Sequence, residues 1–199
     1  MGSPWPRDDV KLERVRALMG ERGIDAIVAR APDSVLYLTS FWGMKGYDAV
    51  VFPREGEPTL ICLEASADDA ARTAWTDDVR LFAGYHPSDP RPPTARVLET
   101  AVEAARDYGA VSLELSLGTQ ASDRMVGEPT TYTKAWFDAF PDAVDATPLL
   151  NEARAVKTAQ EIERMRLANE IAAAGMDHVR GVIRPGMTEA QIAAEWLGF

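Results

Sequence analysis

The sequence has one cysteine and two histidines among its 199 residues, so the side chains that most often build disulfides and metal sites are scarce. A single cysteine cannot form an internal disulfide, and the apolar run 59–63 around Cys62 predicts a buried thiol. His86 and His178 have no histidine or cysteine partner at metal-ligand spacing. The sequence therefore predicts neither a disulfide nor a metal site in this chain.

Other signals are missing as well. No apolar run approaches the roughly 20 residues of a membrane-spanning helix, and residues 1–6 contain no apolar core of a secretory signal. There is no Gly-rich phosphate loop and no Gly-x-Ser-x-Gly element. The net charge of -10 repels a phosphate backbone. We therefore expect a soluble, cytoplasmic protein that binds neither nucleic acid nor membranes.

What is present is the pattern of a packed α/β domain, because hydrophobic residues make up 46% of the chain. Apolar runs predict strands, and residues 53–58 between two of them predict a hairpin turn. The segment 35–39 is interpreted as strand-like or as a short transition. Together these signals favour an α/β sandwich with a mixed sheet. The predicted strands are 24–29, 48–52, 59–63, 79–82 and 110–115, with a short strand near Val144.

Helical periodicity and capping residues separate these strands. Helices are predicted after Asp8 and Asp9, after Ser66, over 94–108 and around Trp136. Two capping boxes follow. Thr158 with Glu161 opens a long amphipathic helix that ends at 184–186, and Thr188 with Gln191 opens another that reaches the last residue. Because the apolar face of this last helix needs cover, we expect the chain to be truncated.

Three segments of the chain resemble the creatinase/prolidase family of Xaa-Pro dipeptidases and aminopeptidases P. Residues 154–162, RAVKTAQEI, are similar to the element that joins the two domains of that family, Arg-x-x-Lys-Ser/Thr-x-x-Glu-Ile/Leu. Residues 183–189, IRPGMTE, resemble the step between the first two helices of the catalytic domain. Residues 32–39, PDSVLYLT, resemble a first-domain element, with Ser40 where glycine is common.

The resemblance implies a domain organisation. Residues 1–151 would form the N-terminal domain, a mixed-sheet α/β fold of the ribonuclease-H-like type. Residues 152–199 would form a linker and the opening helices of an α+β pita-bread catalytic domain. The family's two metal ions, Mn, Co or Zn, are held by two Asp, one His and two Glu residues that follow those helices. The resemblance thus implies no catalytic or metal-ligating residue in this chain, which alone would not be an enzyme.

The same resemblance implies an activity for the intact protein, which would be a metal-dependent Xaa-Pro dipeptidase or aminopeptidase that uses metal-bound hydroxide. Two alternatives stay open. One is the same architecture with a non-peptide substrate, as in creatinase, ectoine hydrolase or a sulfoniopropionate lyase. The other is a non-enzymatic binding or assembly module. The expected partners are a second copy in a homodimer or higher homo-oligomer and a small peptide or amide substrate.

The loop that follows the Tyr-Leu-Thr element shapes the substrate pocket in trans in this family, which implies a role here for residues 41–48. Phe41, Trp42 and Tyr47 would offer flat apolar walls for a proline-like ring. Lys45 would meet a substrate carboxylate and Asp48 an amine. The alternative for Phe41 and Trp42 is burial against the domain core. Core burial is preferred for Phe41, both interpretations stay open for Trp42, and Asp48 could simply lead into its strand.

Overall fold

The computed structural model describes residues 5–43, 47–114 and 130–198. The chain divides into two compact units, Met1–Ala155 and Val156–Phe199. Within the described ranges, none of the helices has both the length and the apolar character needed to cross a membrane.

A mixed sheet forms the centre of the first unit, as the sequence predicted. Its six strands, in the part of the chain that the structure describes, have the spatial order β4-β3-β2-β1-β5-β6. The pairs β1–β2 and β2–β3 are antiparallel, which confirms the predicted hairpin, and the other three pairs are parallel. The strands are β1 (Ala26–Ala29), β2 (Ala49–Pro53), β3 (Thr59–Leu63), β4 (Val79–Phe82), β5 (Val111–Leu113) and β6 (Val144–Asp145).

Helices cover both faces of this sheet, because successive strand residues point to opposite faces. Ile27 and Ala29 belong to a core cluster shared with α1, α2, α3 and α6, whereas Ala26 and Val28 belong to a cluster shared with α4 and α5. The result is a three-layer arrangement with the sheet in the middle. The helices are α1 (Asp9–Glu21), α2 (Pro32–Thr39), α3 (Ala67–Thr73), α4 (Pro93–Ala105), α5 (Thr130–Ala139) and α6 (Thr147–Ala155).

Helix α2 occupies residues that the sequence pattern assigned to a strand-like segment, so that prediction was wrong. Two local signals do favour a helix: Pro32 stands at its first position and Asp33 lies in its first turn. The N-cap residue, however, is Ala31, which makes no side-chain cap. The side-chain hydrogen-bond acceptor at this end of the helix comes from another part of the chain.

Glu114, directly after β5, supplies that acceptor. Its Oε2 accepts hydrogen bonds from the backbone N–H groups of Arg30 (3.0 Å) and Ala31 (2.9 Å), and its Oε1 accepts from the Ser34 hydroxyl (2.7 Å). The side chain is buried. A carboxylate at this end of a helix also interacts favourably with the helix dipole. Glu114 therefore caps α2 from a strand more than 80 residues away in sequence.

Helix α6 was not predicted from the sequence. Its signals are nonetheless local, because Pro148 lies in its first turn and the Asp145 carboxylate accepts a hydrogen bond from the Thr147 N–H at 2.9 Å. The expected domain boundary at residue 151 falls inside this helix, whereas the two compact units meet between Ala155 and Val156. Helix α6 thus joins the first unit through buried residues that include Leu149 and Leu150.

The second unit consists of α7 (Ala159–Val182) and α8 (Glu189–Leu197). Both predicted capping boxes are confirmed, since Thr158 with Glu161 and Thr188 with Gln191 exchange the expected hydrogen bonds. The two helices meet where the Trp196 ring lies against Gly175; a β-carbon on Gly175 would approach the Trp196 ring to 3.0 Å. Several large apolar side chains are exposed on the two helices, namely Ile162, Met165, Leu167, Ile171, Met176 and Leu197.

We predict that Glu114→Ala lowers the free energy of unfolding by roughly 2–4 kcal/mol, because each buried donor left without an acceptor costs about 1–3 kcal/mol. Urea denaturation followed by circular dichroism measures the change. Glu103→Ala serves as the control, since Glu103 is exposed on α4 and its loss should cost less than about 0.5 kcal/mol. Equal stability of the two variants would contradict the capping role of Glu114.

We also predict that titration of Glu114 makes the free energy of unfolding depend on pH. Burial raises the pKa of this carboxyl above its ordinary value of 4.5, although hydrogen bonds from Ser34, Ala31 and Arg30 oppose the change. A raised folded-state pKa adds stability that is complete below about pH 4.5 and is lost as the pH rises through the folded-state pKa. The free energy of unfolding of wild type minus that of Glu114→Gln should therefore become smaller as the pH rises above about 4.5. A difference that is constant with pH, measured by urea denaturation, would overturn this.

Candidate functional site

The candidate loop begins at the C-terminus of α2, which is held at several points. Ser40 adopts a left-handed conformation (φ 62°) and its N–H donates to the Leu36 carbonyl at 2.8 Å. The Thr39 carbonyl accepts from the Trp75 N–H at 2.8 Å, and the Thr39 hydroxyl accepts from the Phe41 N–H at 3.2 Å. The chain therefore leaves α2 along a defined path, and Ser40 performs the turn for which glycine would be better suited.

The four predicted pocket residues occupy different environments. Phe41 is buried, with 1% of its surface exposed, and it packs in the core cluster that α2 shares, so it is a core residue rather than an open wall. Trp42 is 38% exposed. Tyr47 is half-buried and packs against the core cluster on the other face of the sheet. Lys45 lies outside the described residues. Trp42 is thus the predicted wall residue that presents an aromatic surface to solvent.

Asp48 is buried rather than open to a substrate amine. Only 6% of its surface is exposed, and its Oδ1 accepts a hydrogen bond from the Leu63 N–H at 3.2 Å. Burial raises the pKa of this carboxyl, while the backbone hydrogen bonds from Leu63 and from Asp48 itself act in the opposite direction. Asp48 therefore extends the contact between β2 and β3 by one side-chain hydrogen bond, and the alternative that it leads into its strand agrees with this position.

Gly43 lies directly against that carboxylate. A β-carbon at residue 43 would overlap Oδ2 of Asp48, would lie 2.7 Å from Cγ of Asp48, and would be 3.3 Å from Cε1 of Phe41. The backbone can approach the carboxylate this closely because glycine has no side chain. Sequence reasoning noted the loop glycines, but nothing in the sequence indicated that this one faces Asp48.

Cys62, on β3, is a buried free thiol, which confirms the sequence prediction. Burial, together with the nearby charge of Asp48, raises the pKa of the thiol to about 12. A thiol with such a pKa stays protonated at neutral pH and is a poor nucleophile. Cys62 is therefore a small core residue next to Asp48 and not a catalytic group.

The described residues contain no group of three or more His, Cys, Asp or Glu side chains that could hold a metal ion. His86 shares a hydrogen bond with the Ser88 hydroxyl at 2.6 Å, and His178 lies 3.4 Å from the Glu195 carboxylate. Each histidine thus has a polar side chain within reach that is not a histidine or cysteine. The donor sets in the described ranges do not fit a pair of divalent metal ions.

A separate cleft of about 340 Å³ lies at the amino ends of β1, β5 and β6. Ile24, Val111 and Phe140 contribute apolar surface to it, and Arg22 stands in its wall. Arg22 already pairs with Glu152 at 2.5 Å. The described lining therefore offers shape and apolar surface but no set of groups that could perform catalysis.

The comparisons with known proteins identify the family of this chain. The family model described as creatinase/prolidase N-terminal domain matches residues 11–156. Ectoine hydrolase of Halomonas elongata is 28% identical over 202 residues, which covers 96% of this chain and 49% of that protein. Xaa-Pro dipeptidase of Lactobacillus delbrueckii subsp. lactis is 23% identical over 193 residues, with coverage of 94% and 48%.

Solved structures show the same fold. The Xaa-Pro dipeptidase from Bacillus anthracis superposes with a TM-score of 0.63 at 20% identity, and the prolidase from Pyrococcus horikoshii OT3 with a TM-score of 0.62 at 16% identity. Each match covers 94% of this chain and 47% of the solved chain. This chain thus spans about half the length of the relatives it matches. Since the family model matches well over half of the sequence, the chain belongs to the creatinase/prolidase N-terminal domain family.

Proposed function

We propose that this chain is the non-catalytic half of a metal-dependent hydrolase that cleaves a peptide or amide bond next to a proline-like ring. The observation that carries the proposal is the family match over residues 11–156 in a chain that spans about half of its relatives' length. Among the described residues there is no group of three or more His, Cys, Asp or Glu side chains that could hold a metal ion. The division into residues 1–151 and 152–199 remains part of this proposal.

Two relatives favour different substrates for the intact protein. The similarity to an Xaa-Pro dipeptidase supports a dipeptide substrate, and the similarity to ectoine hydrolase supports the second candidate, a small non-peptide amide-type substrate. The identities of 23% and 28% are both too low to transfer a substrate. An exposed aromatic side chain such as that of Trp42 suits either case, because small-molecule pockets are lined predominantly by apolar and aromatic side chains.

The second unit supports the part of the proposal that concerns a catalytic half. Helices α7 and α8 leave Ile171 (59% exposed), Met176 (61%) and Leu197 (84%) open to solvent. Large apolar side chains exposed on two helices favour contact with further protein surface. A catalytic domain that continues from α8 would cover these side chains, and we propose that it holds the pair of Mn, Co or Zn ions.

The proposed partners are a second copy of the protein and a small substrate, and the proposed setting is the cytoplasm. The homodimer or higher oligomer rests on the resemblance to the family. Light scattering of the purified protein tests it, since a mass equal to one chain at micromolar concentration would contradict it.

The first experiment is to compare the encoding reading frame with the intact mass of the purified protein. If the frame continues, we expect the complete protein to contain about two metal ions by inductively coupled plasma mass spectrometry. We also expect it to hydrolyse an Xaa-Pro dipeptide or ectoine, and chelation should abolish the activity. A complete protein that holds no metal, or that cleaves neither substrate when loaded, would overturn the proposed function.

For the complete protein, we predict that Trp42→Ala raises KM for the cleaved substrate about tenfold with a smaller change in kcat. Loss of one aromatic contact removes about 1–1.5 kcal/mol of binding, and binding lost equally in ground and transition states appears in KM. Steady-state kinetics measure both constants. Phe137→Ala is the matched control, since Phe137 is a similarly exposed aromatic residue (45%) on α5. An unchanged KM in Trp42→Ala would contradict the pocket role.

A further inference from the structure

The contact between Gly43 and Asp48 has no role in the proposed chemistry, yet it is unusually close. The carboxylate of Asp48 occupies the space into which any β-carbon at residue 43 would project. On another side of the same position, a β-carbon would lie 3.3 Å from the Phe41 ring. Residue 43 therefore has no direction in which it could accommodate a larger side chain without moving either Phe41 or Asp48.

Neither of these two neighbours is free to move. Phe41 is fully buried in the core cluster that α2 shares. Asp48 is buried, its side chain is short, and its Oδ1 is held by the Leu63 N–H. The strand that starts at the next residue is paired on both sides, with β1 and with β3. The position of the carboxylate is thus set by the sheet.

Burial of this carboxylate is costly, which indicates that it has a specific role. In the described part of the chain, no Lys, Arg or His side chain forms an ion pair with Asp48. Its neighbours are the Leu63 N–H, the Gly43 backbone and the Cys62 thiol, whose pKa responds to its charge. An apolar side chain would avoid the cost of taking a carboxyl group out of water. The carboxyl group, in contrast to a residue chosen only for burial, makes a close contact with Gly43.

We propose that Gly43 and Asp48 are a positioning pair that holds Trp42 in its half-exposed place at the surface. Trp42 stands between buried Phe41 and buried Gly43, so the backbone on each side of it is anchored. Phe41 anchors it in the core, and the contact of Gly43 with Asp48 anchors it to the start of β2. The relevance of this pair to substrate binding rests on the proposed function, but the positioning of Trp42 does not.

The test uses this chain labelled with 5-fluorotryptophan and observed by fluorine NMR. The chain has five tryptophans, and Trp42→Phe identifies the resonance of Trp42. We expect Gly43→Ala to move the Trp42 resonance more than any of the other four. We further expect Gly43→Ala/Asp48→Ala to return it toward its original position, because the methyl group of residue 43 then occupies the space that the carboxylate leaves. Gly43→Ala/Asp48→Asn should not restore it, since the amide keeps the size of the carboxylate.

Gly20→Ala is the matched control, because a β-carbon on Gly20 in α1 would meet nothing within 4 Å. The proposal is overturned if Gly43→Ala leaves the Trp42 resonance in place, or if the Asp48→Ala background does not reduce the shift. If Gly43→Ala prevents folding, all five resonances lose their dispersion. In that case the single variant Asp48→Ala tests the proposal. It should move or broaden the Trp42 resonance, while the resonance of Trp136, which is buried in the core, should stay unchanged.

The result is separate from the test of the proposed function. The NMR measurement needs no substrate, metal or catalytic half, so a protein without hydrolase activity can still confirm the positioning pair. In the complete enzyme, Gly43→Ala should raise KM in the same direction as Trp42→Ala. If Trp42→Ala leaves KM unchanged while the fluorine shifts are as expected, the pocket role fails and the positioning pair stands.

Discussion

The structure of the first unit depends on the carboxylate of Glu114 at the N-terminus of α2. This one side chain joins β5, the end of β1 and the first turn of α2 through three hydrogen bonds. Next to it, the Arg30 guanidinium lies 5.2 Å from the Trp136 ring centre, which connects the same point to α5. Removing the carboxylate would leave buried donors unsatisfied at the junction of the sheet with its helices.

The path of the chain after α2 depends on the contacts that hold this helix. Glu114 holds one end of α2, and the backbone hydrogen bond from Trp75 to Thr39 holds the other. Phe41 then enters the core, and Asp48 starts the central hairpin. Trp42 is exposed because the residues on either side of it are anchored in the core and at the start of β2. Trp42 is thus an exposed aromatic side chain whose two sequence neighbours are buried.

Much of the fold was predictable from local patterns. The hairpin of β2 and β3, the capping boxes of α7 and α8, and the burial of Cys62 follow from short segments whose neighbours along the chain carry the signal. The family resemblance also rested on local motifs and is confirmed by the family match. The candidate site was less predictable. Asp48 was proposed to receive an amine, yet it is buried, and Gly43 had no assigned role.

The sequence by itself determined the mixed α/β class, the capping boxes of α7 and α8 and the family, because periodicity, caps and motifs act over a few residues. Only the tertiary structure decided that residues 32–39 form a helix, since Glu114, which follows β5, accepts hydrogen bonds from the N–H groups of Arg30 and Ala31 and from the Ser34 hydroxyl at the start of this helix. It also decided that Trp42 is exposed while Phe41 is buried, and that Gly43 meets Asp48. These outcomes depend on contacts between segments that are distant in sequence or separated by a loop, and local propensity carries no information about such contacts.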